Sequence, residues 1–151
     1  WSRRWKLVIV GVRGWKSGPV FDTLQWLGIG KDVHLTGFVA DEHLPALYSG
    51  ADLFAFPSLY EGFGLPVLEA MACGTPVVTS NTSSLPEVAG DAAMLVQPTD
   101  VKCIVWAMRR VLEDREWAAE LRARGLARTR QFTWERTARE TRAVYERVLN
   151  G

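Results

Sequence analysis

Up to Val96, short runs of β-branched and aromatic residues alternate with segments whose apolar residues fall at helical spacing, and this alternation constrains the fold more than any other feature. The runs are Lys6-Leu-Val-Ile-Val-Gly11, Val33-His-Leu-Thr36, Asp52-Leu-Phe-Ala-Phe56, Pro76-Val-Val-Thr79 and Ala93-Met-Leu-Val96. A strand followed each time by a helix predicts an α/β fold, a parallel sheet with helices on both faces. Ligands of such sheets bind at the carboxyl ends of the strands, so function is sought in the loops that follow them.

Gly11-Val12-Arg13-Gly14 and Ser17-Gly18-Pro19 supply the first such loop, and Val20, Phe21, Leu24 and Leu27 continue as a helix that Gly28 and Gly30 stop. Asp41 is expected to cap a helix carrying Leu44, Leu47 and Tyr48. A glycine-rich turn follows Pro57, then a helix over about 66–73, and later a short Leu85-Pro-Glu-Val segment. From Asp100 the pattern is all helical, with helices expected over about 100–112, 117–128 and 133–149, the last opened by Thr133-Trp-Glu-Arg136.

A chain of 151 residues, 48% of them hydrophobic, is sized for one domain with a real core. Eighteen basic residues against 17 acidic ones give no electrostatic reason to expect nucleic acid as a partner, which points to a small molecule instead. The arginine-rich stretch from Arg122 to Arg142 is interleaved with acidic residues and reads as a solvated helical face. Cys73 and Cys103 lack zinc-site spacing and read as reduced core thiols, which suggests a cytoplasmic protein. No apolar run reaches the roughly 18 to 20 residues needed to span a bilayer, and Trp1-Ser2-Arg3-Arg4-Trp5 opens no signal peptide; peripheral membrane association stays open.

The chemistry concentrates between Pro57 and Val78. Gly62 and Gly64 are placed to adopt positive φ and to let backbone approach a ligand, and Pro66 suits a first helical position. The amides that follow would point outward, and a helix N-terminus of this kind accepts a diphosphate without needing a lysine. Glu61 lies on the loop and Glu69 about one turn inside the helix, so two carboxylates can flank one ligand and accept from vicinal hydroxyls of a sugar ring. Two glutamates at that separation would by themselves read as complements to the helix dipole; the Gly-Phe-Gly-Leu-Pro and Ala-Cys-Gly-Thr-Pro framing favours a site.

Glu61 through Glu69 resembles the Glu-x7-Glu motif of the family-four group of retaining GT-B glycosyltransferases. Gly37-Phe38-Val39, Tyr48-Ser49-Gly50-Ala51-Asp52, Pro57-Ser58, Glu69-Ala70-Met71-Ala72, Gly74-Thr75-Pro76-Val77-Val78 and Leu85-Pro86-Glu87-Val88 match the C-terminal, Rossmann-like half of that fold in order. The resemblance implies a nucleoside-diphosphate sugar as donor, a retaining front-face transfer and no metal or other cofactor. It implies that Glu69 binds the ribose and that Glu61, the candidate catalytic residue, contacts donor-sugar hydroxyls. Gly62, Phe63 and Gly64 would offer backbone to the sugar, and Leu65, Pro66 and Val67 would surround the diphosphate. Phe38 and Val39 would border the base, and Gly11 to Gly14 would form the glycine loop after an early strand.

Such enzymes also carry an N-terminal acceptor domain, and their C-terminal half begins with a strand and helix bearing an Arg and a Lys for the departing diphosphate. Neither has a counterpart here, and Arg3, Arg4 and Lys6 do not match that motif's spacing, so residues 1–151 are expected to be an N-terminally incomplete donor domain, with a gap beside the strand at Lys6 to Val10, that belongs to a longer polypeptide or docks onto a partner chain and transfers nothing alone. A non-catalytic nucleotide-sugar-binding or regulatory module of the same fold is the alternative; an epimerase of similar fold fits the framing less well. His34 reads as a packed or edge histidine, His43 as exposed at a helix start, Trp106, Trp117 and Trp134 as mainly core, and Trp1, Trp5 and Trp15 as cover for a bare face.

Overall fold

The computed structural model describes residues 5–12, 14 and 18–150. The chain divides into two compact units, Trp1–Leu44 and Pro45–Gly151. Arg3, Arg4, Arg13, Trp1 and Trp15 lie outside the described residues.

In the first unit β1 (Leu7–Ile9) pairs in parallel with β2 (Val33–Leu35), Leu7 opposite Val33 and Ile9 opposite Leu35, with α1 (Gly18–Trp26) between them in sequence. The strands are extended by a bridge between Gly11 (φ 128°) and Gly37 (φ 68°), where the Gly11 amide donates to the Gly37 carbonyl at 3.0 Å. Both conformations suit glycine alone. Lys6 Nζ donates to Asp32 Oδ1 at 2.8 Å and to the Lys31 carbonyl at 3.1 Å, which ties β1 to the turn before β2. None of the described residues of this unit is buried.

In the chain that follows, α2 (Leu44–Gly50) leads to a second parallel sheet in the order β3 (Phe54–Phe56), β4 (Val77–Ser80), β5 (Met94–Val96). Phe54 lies opposite Val77 and Thr79 opposite Leu95. All four residues of β4 are buried, and because successive side chains of a strand point to opposite faces, Val77 and Val78 enter different cores. Val77 joins Val67, Leu68, Met71, Leu85 and Val88, from α3 (Leu65–Ala72) and α4 (Leu85–Ala89). Val78 joins Val96, Ala107, Val111 and Leu121, from β5, α5 (Val101–Glu113) and α6 (Arg115–Thr129). Helices thus cover both faces of this sheet, and each fully buried Val or Leu contributes about 1.5–3 kcal/mol. Gly125 lets α6 approach α3 closely, since an added Cβ there would come within 3.2 Å of Met71 Cγ.

The helices α5, α6 and α7 (Trp134–Asn150) fall where the sequence puts them, within two or three residues. The Asp100 carboxylate accepts from the Lys102 and Cys103 amides, and the Thr133 hydroxyl accepts from the Arg136 amide. The described strands pair as two parallel sheets, one per unit. Three expectations are corrected. Asp41 does not cap α2: it opens a 3-10 turn, Asp41–His43, whose N-cap is Ala40. Trp106 and Trp134 are 61% and 78% exposed, while Trp117 packs partly against the second core and donates to Met94 Sδ. Leu85-Pro-Glu-Val, expected as a short segment, is the start of α4.

Candidate functional site

Residues 57–64 connect β3 to α3 in the second unit, at the carboxyl end of that strand, so Glu61 lies on this loop and Glu69 within α3. Gly64 is the N-cap of α3 with φ 110°, and a Cβ added there would fall 2.7 Å from Leu85 Cδ2. Both the backbone conformation and the packing therefore require glycine at this position. Gly62 differs from expectation: its φ is not positive and an added Cβ would meet open space. Leu65, not Pro66, is the first helical residue, which places the proline second, where its missing amide again costs no helical bond.

Among the described residues the amides of Gly62, Phe63, Gly64 and Leu65 donate to no protein acceptor. Unpaired amides at the positive end of a helix suit an anion, and of these residues Gly62, Phe63 and Leu65 are exposed while Gly64 is buried. The Val67 side chain is wholly buried in the first core and its amide donates to the Gly64 carbonyl at 3.0 Å, which anchors the start of the helix. Phe63 is 46% exposed and meets Phe132 edge-on with ring centroids 6.1 Å apart.

Glu61 is half-buried and Glu69 exposed, the latter on the fifth residue of α3. Tyr48 from α2 donates its hydroxyl to Glu69 Oε2 at 3.0 Å, which orients the carboxylate and leaves Oε1 to an outside donor. Burial, the hydrogen bond to Glu69, that carboxylate's charge and Cys73 together push the Tyr48 phenol well above its ordinary range, so it stays a donor. The backbone of Tyr48 is fixed in turn by Thr75, whose hydroxyl donates to the Tyr48 carbonyl at 2.6 Å.

The loop before α3 is held by hydroxyls of β4 and of the residues after it. Those of Thr79, Ser80 and Thr82 donate to the carbonyls of Phe56, Ser58 and Leu59, and the Ser84 hydroxyl lies within bonding distance of both the Glu61 and the Phe63 carbonyl, at 2.9 and 2.8 Å. Ser83 Oγ accepts from the Glu61 amide at 3.1 Å. Reasoning from sequence passed over these residues and over Tyr48. The available signal was Thr79-Ser-Asn-Thr-Ser-Ser84, five hydroxyls in six positions at the end of a buried strand.

Gly11, Gly14, Phe38 and Val39 belong to the first unit. There Gly11 is bridged to Gly37, the neighbour of Phe38; Phe38 is 79% exposed, Val39 is half-buried, and Gly14 is exposed, with nothing among the described residues within 4 Å of an added Cβ. His34 is exposed on β2, and His43 is exposed with Glu42 Oε1 3.8 Å away. Among the described residues no cluster of three His, Cys, Asp or Glu side chains could hold a metal ion, and no helix is long and apolar enough to cross a membrane.

The family described as glycosyl transferases group 1 matches residues 2–128. O-antigen chain mannosyltransferase B of Escherichia coli is 43% identical over 143 residues, 95% of this chain and 38% of that protein. Among solved structures, sucrose-phosphate synthase from Thermosynechococcus elongatus superposes with a TM-score of 0.85 at 32% identity, over 96% of this chain and 39% of that one. Anabaena HepE in complex with UDP and glucose gives 0.76 at 26% identity, over 83% of this chain and 36% of that one. The chain thus spans under two fifths of the length of these relatives.

Proposed function

The chain belongs to the glycosyl transferases group 1 family, and on that footing we propose that it is the donor-binding part of a retaining glycosyltransferase, taking a nucleoside-diphosphate sugar at the N-terminus of α3. The observation that carries this reading is the run of free amides from Gly62 to Leu65 between the Glu61 and Glu69 carboxylates. Amides fixed in direction before a ligand arrives stabilise a diphosphate, and the charge that grows on it as the sugar departs, without reorganising. The free oxygen of Glu69 accepts from ribose hydroxyls, and Glu61 accepts from hydroxyls of the transferred sugar. The resemblance to HepE, whose structure holds UDP and glucose, supports a nucleotide sugar, and the O-antigen mannosyltransferase places a mannosyl nucleotide first among those to test. Donor binding on this reading needs no metal, because the amides supply the positive end.

Calorimetry with UDP, GDP and ADP and their sugars tests the reading; ligand at a hundred times its dissociation constant adds about 2.7 kcal/mol to stability. Glu69→Gln is expected to weaken bare nucleotide and nucleotide sugar alike, whereas Glu61→Gln weakens the nucleotide sugar selectively. Equal losses for both ligands in Glu61→Gln would reject the division of roles.

A further inference from the structure

We propose that Ser83 and Ser84 are positioning residues that aim the Glu61 carboxylate by gripping that residue's backbone from both sides. Ser83 Oγ accepts from the Glu61 amide at 3.1 Å, and the Ser84 hydroxyl faces the Glu61 carbonyl at 2.9 Å and the Phe63 carbonyl at 2.8 Å. Holding the N–H and the C=O of one residue fixes its φ and ψ, and these set the direction in which its side chain leaves the loop. The proposal rests on the reading above that Glu61 meets the donor sugar.

Both serines depart from what their own positions favour. Ser83 has φ 53° and is the one non-glycine with positive φ among the described residues, in a conformation that costs a serine and suits a glycine. Ser84 stands at the N-cap of α4, where a serine side chain ordinarily accepts from a first-turn amide, yet it makes no capping bond and turns to the loop instead. Two adjacent residues thus forgo their local preference, and the hydroxyls of both meet the backbone of residues 61–63. Local rules broken together in this way mark a site where geometry serves something other than the stability of the segment itself.

The test compares Ser83→Gly, Ser84→Ala and Ser84→Thr with the unaltered chain. Hydrogen exchange of the Glu61 amide reads the grip, and calorimetric affinities for UDP, UDP-glucose, GDP and GDP-mannose read its consequence. Ser83→Gly is expected to melt no lower than the unaltered chain, because glycine relieves the positive φ, while its Glu61 amide exchanges about tenfold faster. In the same variant, and in Ser84→Ala, the affinity gained from the sugar over the bare diphosphate falls about fivefold, and the bare diphosphates change by less than about twofold. Ser84→Thr keeps the hydroxyl and restores both readouts. Unchanged exchange in Ser83→Gly and Ser84→Ala would show that the serines hold nothing and would overturn the proposal whatever the ligand. Faster exchange with an unchanged gain from the sugar, or with equal loss for the bare diphosphate, would reduce them to structural residues and overturn it too. An unaltered chain that gains no affinity from either sugar removes the role assigned to Glu61, and with it the premise of the proposal.

Discussion

The two units are made of the same parts and packed to different degrees. The first has two parallel strands and α1, and none of its described residues is buried; Val12, Trp26 and Phe38 are 71%, 84% and 79% exposed. The second sets Val67, Val77, Val78 and Leu85 wholly out of solvent. Alternating strands and helices are enough to specify that the strands pair in parallel. Burial depends on layers: a parallel strand needs cover on both faces, and β4 has α3 and α4 on one side and α5 and α6 on the other. A two-stranded sheet has too little face to enclose anything by itself.

The sharpest way to break this comparison is to truncate one apolar side chain in each unit. Leu121→Ala is expected to cost about 2–5 kcal/mol, and Leu35→Ala, already 45% exposed, under about 1 kcal/mol, in urea denaturation of the whole chain. Similar costs would show that the first unit has a core after all. Glycines come next in size. Gly11 and Gly64 both have positive φ, but only at Gly64 does an added Cβ overlap a buried side chain. Gly11→Ala is therefore expected to cost about 1 kcal/mol of strain, and Gly64→Ala about 2–4 kcal/mol, read from the shift in melting temperature.

Tyr48→Phe tests a polar contact within the packed unit, with an expected loss of about 1 kcal/mol at neutral pH. Its pH dependence carries the sign. The folded phenol ionises at higher pH than the unfolded one, which titrates near about 10, so its contribution is whole below that pH and is lost as the pH rises above it. The stability difference between the two chains should thus be flat from pH 7 to 9 and shrink beyond pH 10; a constant difference would mean that Glu69 and burial do not hold the proton. The smallest effect belongs to Lys6→Gln. The Lys6 side chain is 60% exposed, and losing its pairing with Asp32 is expected to change stability by less than about 0.5 kcal/mol in urea denaturation.

Much of this was legible in the sequence where the signal is local. Five strands, the helix after Glu61 and the helices beyond Asp100 follow from periodicity and capping, which act over a few residues. The misses come from contacts between distant positions. Trp106 and Trp134 have helical spacing but face outward, because spacing gives a face and not what lies opposite it. Gly62 and Gly64 look equivalent as letters, yet only Gly64 sits against Leu85, 21 positions on. The hydroxyls from Thr79 to Ser84 reach backbone 21 to 23 residues earlier, and composition alone does not say which partner a serine will find.

Every bond of that hydroxyl series lands on main chain, so the shape of the loop after β3 is encoded outside the loop. Leu59 and Tyr60, 69% and 80% exposed, carry no part of it with their side chains. Substitutions at those two positions are therefore expected to leave the frame in place, because a loop held from outside through its main chain keeps its shape when its own exposed side chains change.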